Sequence, residues 1–376
     1  MKVRRSQARV TIITGAFLPL PPGPGGAVEK MWCRLAEEFA CRGWAVKMVS
    51  ARDVSDPPLP MDNGVKHSTI PRFRRRGMLV NVVCDLIYSL RAARLAERGE
   101  VVITNTLWLP ALLAIRGFGR EVIVDVQRMP KGQLRVYRRS SFRANTIAVE
   151  KAILNELPGR ARQITVIPNP IDAKTFTPSV GNPGNGSTTV IYAGRVHPEK
   201  GIHLLVHAFQ KIRCVHTNWR LVVVGPTESE HGGGGNKYVE ELKRLGESNI
   251  EFVGAIWDPS LLAKTLRSGS IFCYPSLAER GETFGVAVAE AMACGLIPVV
   301  SDLECFRDFI RDGVTGFVFD HRRDDAVDQL AQTLVRAAVQ GESGDAMRDA
   351  AIRQARELDY GIIAGRFVNW MSMLDQ

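Results

Sequence analysis

The stretch 190-VIYAGRVHPEKGIHLLVHAF-209 changes character twice. Val190 to Ala193 is a short β-favouring run closed by Gly194, and a helical pattern begins after Gly201. Arg195 and Lys200 lie between them, five residues apart. A strand–loop–helix junction gathers free backbone N–H groups and the positive end of a helix dipole. Arginine binds two oxygens at once and lysine adds a point charge, so this loop suits a diphosphate. Read alone, it is equally a solvated loop with two surface cations.

The same alternation runs along the chain. Strand-like runs are 10-VTIIT-14, 46-VKMVS-50, 101-VVIT-104, 121-EVIVDV-126, 164-ITVIP-168, 190-VIYAG-194, 220-RLVVVG-225, 250-IEFVG-254, 271-IFCYP-275 and 298-PVV-300. Helical stretches separate most of them. In 28-VEKMWCRLAEEFACRG-43, Val28, Met31, Trp32, Leu35 and Phe39 share a face, and Gly43 ends the helix. Such alternation predicts parallel sheets wrapped by helices. The pattern occurs twice, on either side of 168-PNPIDAKTFTPSVGNPGNGSTT-189, a proline- and glycine-rich stretch without apolar periodicity. Two doubly wound domains are therefore expected, facing each other across a cleft at their strands' carboxyl ends.

The length of 376 residues fits two domains, and 45% hydrophobic with 23% charged residues is a globular composition. No apolar run reaches the roughly 18–20 residues of a membrane span. The start, 1-MKVRRSQARVTIITGAFLPL-20, is basic then apolar, but Pro-Pro-Gly-Pro-Gly-Gly follows in place of a cleavage site. A first strand and its loop are expected there. Seven cysteines without CxxC spacing fit a reducing cytoplasm, as small buried hydrophobes. The net charge of +10 divides unevenly: residues 1–170 carry 28 Lys+Arg against 13 Asp+Glu, and the remainder is mildly acidic. The first half is expected to face something anionic.

In 282-ETFGVAVAEAMACG-295, after the strand 271-IFCYPS-276, a helix is expected to start near Phe284 or Gly285. Glu282 then lies at its mouth, and Glu290, eight residues on, projects from nearly the same face. The N–H groups of Thr283, Phe284 and Gly285 lack helical partners. Two carboxylates with amides at the entrance suit a polyhydroxyl ligand. The plainer alternative is a helix-start acid favoured by the dipole, plus an unrelated glutamate. Near the amino terminus, Gly25 and Gly26 precede a helix, where backbone must turn sharply or approach a ligand. This is no dinucleotide fingerprint, because 23-GPGGAV-28 lacks its last glycine. There is no Asp-x-Asp, HExxH or GxSxG, and His197, His203 and His207 read as helix-surface positions.

Together these elements resemble a family 4 retaining glycosyltransferase of GT-B architecture, over nearly the whole chain. The motifs are E-x7-E at Glu282 and Glu290, followed by Ala-Met-Ala-Cys-Gly and 298-PVVSD-302, and G-R-x4-K-G at Gly194, Arg195, Lys200 and Gly201. The Gly25-Gly26 loop, 167-IPNPID-172, 252-FVGAI-256 and 313-GVTGFVF-319 follow in the family's order. The resemblance implies an acceptor domain at 1–170 with a helix from 355–376 crossing back to it, and a donor domain at 171–354. It implies that Arg195 and Lys200 hold the diphosphate of a nucleotide-sugar and that Glu290 binds ribose. Glu282 would grip the sugar with the amides of Thr283, Phe284 and Gly285, and 254-GAI-256, ending at Ile256, would lie near the base. Gly25 and Gly26 would bring backbone to the phosphate. The implied activity retains anomeric configuration and needs neither metal nor cofactor.

The chain departs from the family after 121-EVIVDV-126. Many relatives carry a histidine there, whereas Gln127, Arg128 and Lys131 stand in 125-DVQRMPKGQ-133. The basic half concentrates its charge in 72-RFRRR-76 (Arg72, Arg74, Arg75, Arg76) and 135-RVYRRSSFR-143, and an amphipathic stretch, 78-MLVNVVCDLIYSL-90, follows the first cluster. Docking on an anionic membrane is therefore expected, with a glycan or lipid-linked acceptor and a place in bacterial surface polysaccharide or glycolipid synthesis. A merely solubilising basic surface is the alternative. The expected location is the cytoplasm, peripheral to the plasma membrane's inner face, with no nucleic-acid partner. The competing functions are a nucleotide-sugar epimerase or hydrolase and a catalytically silent binding paralogue.

Overall fold

Runs rich in valine and isoleucine, bounded by glycine or a polar turn, become strands buried on both faces, as parallel sheets require. The computed structural model describes residues 7–20, 26–53, 56, 63–179, 188–246, 250–343 and 346–374. The chain divides into two units, residues 1–169 with 360–376, and residues 170–359.

The first unit contains β1 (Arg9–Ile13), α1 (Ala27–Cys41), β2 (Ala45–Arg52), β3 (Val65–Pro71), α2 (Met78–Ala93), β4 (Val101–Thr104), α3 (Leu109–Ile115), β5 (Val122–Val126), β6 (Ser141–Ala144), α4 (Ile147–Glu156) and β7 (Ile164–Val166). Its sheet has the order β3-β2-β1-β4-β5-β6-β7, and every pairing is parallel. The second unit contains β8 (Thr189–Ala193), α5 (Ile202–Arg213), β9 (Arg220–Val224), α6 (Gly235–Gly246), β10 (Ile250–Gly254), α7 (Pro259–Leu266), β11 (Ile271–Tyr274), α8 (Val286–Ala293), β12 (Ile297–Ser301), β13 (Phe317–Phe319), α9 (Ala326–Ser343) and α10 (Ala346–Arg356). Its sheet, β10-β9-β8-β11-β12-β13, repeats the same winding, again all parallel. Both units are thus Rossmann-like, as the resemblance implies.

Helices cover both faces of the first sheet. On one face Trp32 and Phe39 of α1 meet Phe367 of the last helix, α11 (Tyr360–Leu374), edge to face at 5.3 and 5.9 Å. On the other, Tyr88 and Ala92 of α2 pack with Leu109 and Leu113 of α3. The face read from α1's spacing is the one that is buried.

The sequence did not signal β3, β6 or β13. Strand β3 is a partly exposed edge with polar residues, β13 has only three residues, and β6 carries an arginine. That arginine corrects the surface role expected of 135–143. Arg143 is fully buried, its Nη1 2.8 Å from Asp125 Oδ1, and it donates from Nε to Ile167 O and from Nη2 to Asn169 Oδ1. Asp125 also accepts from Trp32 Nε1 at 2.8 Å. The charge ties α1, β5, β6 and the chain after β7 together. Removing one partner of such a pair leaves the other buried and uncompensated, at a cost of about 3–5 kcal/mol. Arg143→Met should therefore lower the urea midpoint sharply, and adding Asp125→Leu should recover part of the loss. An unchanged midpoint in Arg143→Met would show that the pair does not hold the unit together.

Candidate functional site

In a doubly wound sheet, the loops after the two central strands leave in opposite directions, opening a crevice at their carboxyl ends. In the second unit these strands are β8 and β11. The loop after β8 carries Gly194, Arg195 and, at the end of a short 3-10 turn, Lys200; the loop after β11 runs from Pro275 to Gly285. The two loops touch through Leu277 N, which donates to Glu199 O at 2.8 Å. Gly201 permits this approach. It has φ 65°, and a Cβ there would lie 2.0 Å from Pro275 O.

At this crossing Lys200 Nζ lies 2.7 Å from Glu282 Oε2, with the two side chains only 6% and 11% exposed. Ser276 Oγ donates to the same carboxylate oxygen at 3.4 Å, and the ammonium stands 5.6 Å from the centroid of the Tyr274 ring. Arg195 is more open. Its Nη2 pairs with Glu199 Oε1 at 2.6 Å, and its Nη1 donates to Gly232 O at 3.1 Å. An exposed pair of this kind contributes about 0–1 kcal/mol, so an incoming anion exchanges with Glu199 cheaply.

The two glutamates do not share a helix face, which corrects the expectation from their spacing. Helix α8 begins at Val286, and Gly285 before it has φ 83° with its Cβ position 2.5 Å from the Phe306 ring. Glu282 therefore lies in the loop and turns to Lys200, whereas Glu290 lies on the helix. Phe284 is buried against Phe309, and Thr283 is half-buried. Among the described residues, the N–H groups of Phe284 and Gly285 donate to no protein acceptor. Burial, and secondarily the Asp172 carboxylate, push the Glu290 carboxyl up to about 8. It is mostly neutral at pH 7, although part of its surface remains accessible. The folded state therefore holds this proton more tightly than the unfolded chain. Its stabilising effect is complete below the ordinary glutamate range and is lost as pH rises through about 8. Ile256, two residues beyond β10, is half-buried and packs on the second unit's core.

In the first unit the central strands are β1 and β4, and a pocket of about 630 Å³ opens at their carboxyl ends. Glu29, Asp85, Asn105, Gln127 and Arg128 are among the residues lining it. Among the described residues, Asn105 Oδ1 is buried without a partner. Burial raises the carboxyls of both Glu29 and Asp85, and Asp85 accepts from the N–H groups of Leu107 and Trp108 at 3.1 Å each. Gln127 donates to Asp125 Oδ2 at 2.9 Å and accepts from Asn169 Nδ2 at 3.3 Å, so the buried ion pair holds it. Lys131 is exposed and does not line the pocket. Gly26 caps α1 at φ 65°, and Gly25 lies outside the described residues. Arg72 pairs with Asp56 at 3.4 Å, whereas Arg74, Arg75 and Arg76 are exposed ahead of α2. The outer face of α2 presents Met78 and Leu79, each more than three-quarters exposed, with Val83 and Leu90.

Sequence reasoning missed Asp85, Asn105, Asp125, Ser276 and Tyr274, which no motif marks. Asp172 could have been found, since it closes the 167-IPNPID-172 segment. Among the described residues no helix is long and apolar enough to cross a membrane, and no group of three or more His, Cys, Asp or Glu could hold a metal.

Residues 174–357 match the family model described as Glycosyl transferases group 1. The chain is 29% identical over 210 residues to a phosphatidyl-myo-inositol mannosyltransferase of Mycobacterium tuberculosis (strain ATCC 25618 / H37Rv). That match takes 54% of this chain and 52% of the relative, so the chain spans about half the relative's length. The protein of the same name from Mycobacterium leprae is 26% identical over 377 aligned positions, 92% of each chain. Sucrose-phosphate synthase from Thermosynechococcus elongatus shares the fold, with a TM-score of 0.76 at 20% identity over 98% of this chain and 99% of that one.

The Lys200–Glu282 pair joins the loops that follow β8 and β11. Lys200→Met should lower the melting temperature by leaving Glu282 unpaired, and adding Glu282→Gln should restore most of it. An unchanged melting temperature in Lys200→Met would show that the pair does not hold the two loops together.

Proposed function

We propose that this chain, whose residues 174–357 match the family model described as Glycosyl transferases group 1, moves a sugar from a nucleotide-diphosphate sugar to a glycan or lipid-linked acceptor. The proposal includes retention at the anomeric carbon and no required metal. The observation that carries it is the buried Lys200–Glu282 pair at the β8/β11 switch point, followed by the amides of Phe284 and Gly285, which have no protein acceptor among the described residues, together with the exposed guanidinium of Arg195.

In this proposal Lys200 and Arg195 take the diphosphate. As the bond from anomeric carbon to phosphate oxygen breaks, negative charge grows on the leaving group, and these two cations stabilise it more than they stabilise the ground state. They supply the positive charge that a divalent ion would otherwise bring, which supports a metal-free reaction. Glu282 accepts hydrogen bonds from donor-sugar hydroxyls, while the N–H groups of Phe284 and Gly285 donate to its oxygens. Glu290 takes the ribose diol, and Ile256 lies by the base. Because Glu282 is held by Lys200, it is poorly placed to act as a covalent nucleophile. That favours attack by the acceptor hydroxyl on the face the diphosphate leaves. One carbon–oxygen bond then replaces another, and the hydroxyl proton passes to the departing phosphate oxygen.

The acceptor reading rests on the first unit. Its pocket offers Glu29, Asp85 and the unsatisfied Asn105 Oδ1 to hydroxyls. A lipid-borne acceptor is supported by the exposed apolar face of α2 directly behind Arg74, Arg75 and Arg76. Apolar side chains entering the headgroup region beside cations is how a peripheral helix holds an anionic surface. The names of the mycobacterial relatives also refer to a phosphatidylinositol. The place of action would be the membrane's cytoplasmic face.

Calorimetric titration with UDP, GDP, ADP and CMP tests the donor site. One nucleotide should bind at micromolar strength and lose well over about tenfold in Lys200→Ala. If ribose binds ionised Glu290, nucleotide binding at pH 7 should release a proton and strengthen as pH rises towards 8, and Glu290→Gln should abolish both effects. No binding by any nucleotide would overturn the reading. Co-sedimentation with anionic vesicles tests the surface. Binding should fall with salt and be lost on reversing Arg74, Arg75 and Arg76 to Glu, or in Leu79→Glu/Val83→Glu; binding indifferent to all three would exclude α2.

A further inference from the structure

Four arginines at the opposite edge of the first sheet have no place in the proposed transfer. Arg120 stands two residues before β5, Arg138 and Arg139 stand just before β6, and Arg160 lies in the turn leading to β7. Since these strands are parallel, all four residues collect at their amino ends. Gln127 and the pocket that it lines belong to the carboxyl ends. With Gly119 and Gln163, the arginines line a depression of about 530 Å³.

Arg120, Arg138 and Arg139 are exposed, and Arg160 is half-buried. Among the described residues, none of their guanidinium groups has a hydrogen-bond or ion-pair partner. Gln163 is 7% exposed, and among the described residues its Oε1 is buried without a partner, so exchanging the carboxamide's oxygen and NH₂ group, which would present a donor to an anion, breaks no hydrogen bond of that oxygen. Glu121 is the neighbouring acid, its Oε2 3.4 Å from where a Cβ on Gly119 would lie. One carboxylate does not balance four guanidiniums.

Gathering like charges in one depression is unfavourable unless an anion enters. Guanidinium forks match phosphate oxygens two at a time, and four of them spread around a depression of about 530 Å³ leave room for more than one phosphate group. The depression also falls within the roughly 300–1,000 Å³ of small-ligand sites. The geometry points to a second anion site at the amino edge of the first sheet, which takes a diphosphate or longer phosphate chain. It is separate from the nucleotide-sugar site and does not depend on the transfer reading. The same chemistry is offered by a free polyphosphate and by the phosphorylated headgroup of a lipid.

The test is calorimetric titration of the full chain with sodium pyrophosphate, in wild type, Arg138→Gln/Arg139→Gln, Arg160→Gln and Lys200→Gln. Binding should weaken at least about tenfold in each arginine variant. Pyrophosphate can also reach Lys200, so wild type should show two binding events: the arginine changes weaken one of them, and that one should stay within about twofold of wild type in Lys200→Gln. Thermal melts should match wild type in every arginine variant, the half-buried Arg160 included. Pyrophosphate binding that is lost in Lys200→Gln yet unaffected by the arginine changes would overturn the proposal, as would no binding at all. Vesicles containing phosphatidylinositol bisphosphate separate the sources: displacement of bound pyrophosphate assigns the site to a lipid headgroup, and no displacement assigns it to a soluble ligand. Failure of nucleotide binding bears on the transfer reading and leaves this result intact.

Discussion

A parallel strand ends at the opposite edge of the sheet from where the next must begin. Every connection therefore crosses a face, and every loop that ends a strand gathers on one edge. Both sheets here wind outward in two directions from a central pair, β1 with β4 and β8 with β11. At these pairs alone, neighbouring loops diverge and leave a crevice. Lys200 and Glu282, 82 residues apart in sequence, meet because the winding delivers their loops to one place. Asn105 and Gln127 reach the first unit's pocket in the same way.

The constraint has an electrostatic consequence. Strand ends near a buried sheet draw charged side chains out of water, and such charges must be paired or neutralised. The second unit does both: Lys200 and Glu282 pair, and Glu290 keeps its proton. The first unit pairs Asp125 with Arg143 and surrounds both with hydrogen bonds. Charges that escape this rule lie at the surface. Arg74, Arg75 and Arg76 precede an apolar helix face, and Arg120, Arg138, Arg139 and Arg160 ring a depression.

Helix α1 was legible because Met31, Trp32, Leu35 and Phe39 repeat at helical spacing, and burial follows that stripe. The loop carrying Arg195 and Lys200 was legible because glycine bounds it at both ends. The shared face of Glu282 and Glu290 was misread. Its premise was an early helix start, and the left-handed turn at Gly285 delays the helix to Val286. Arg143 was misread as surface charge because arginine is rarely buried, and nothing local announces that Asp125 waits opposite it on the neighbouring strand. Asp85 and Asn105 went unnoticed for the same reason: a polar residue acquires its meaning from what surrounds it.

The sequence by itself determined two alternating α/β units, the glycine-bounded cationic loop, the acidic segment after β11 and the basic character of the first half. These follow from local periodicity and composition, which depend on neighbours in the chain. Only the tertiary structure decided that Lys200 grips Glu282, that Glu290 sits apart beside Asp172, that Gln127 is held by a buried ion pair, and that four arginines line one depression. Those outcomes depend on which strand ends meet. Long-range packing sets that, because the free energy of a buried charge is fixed by partners tens of residues away.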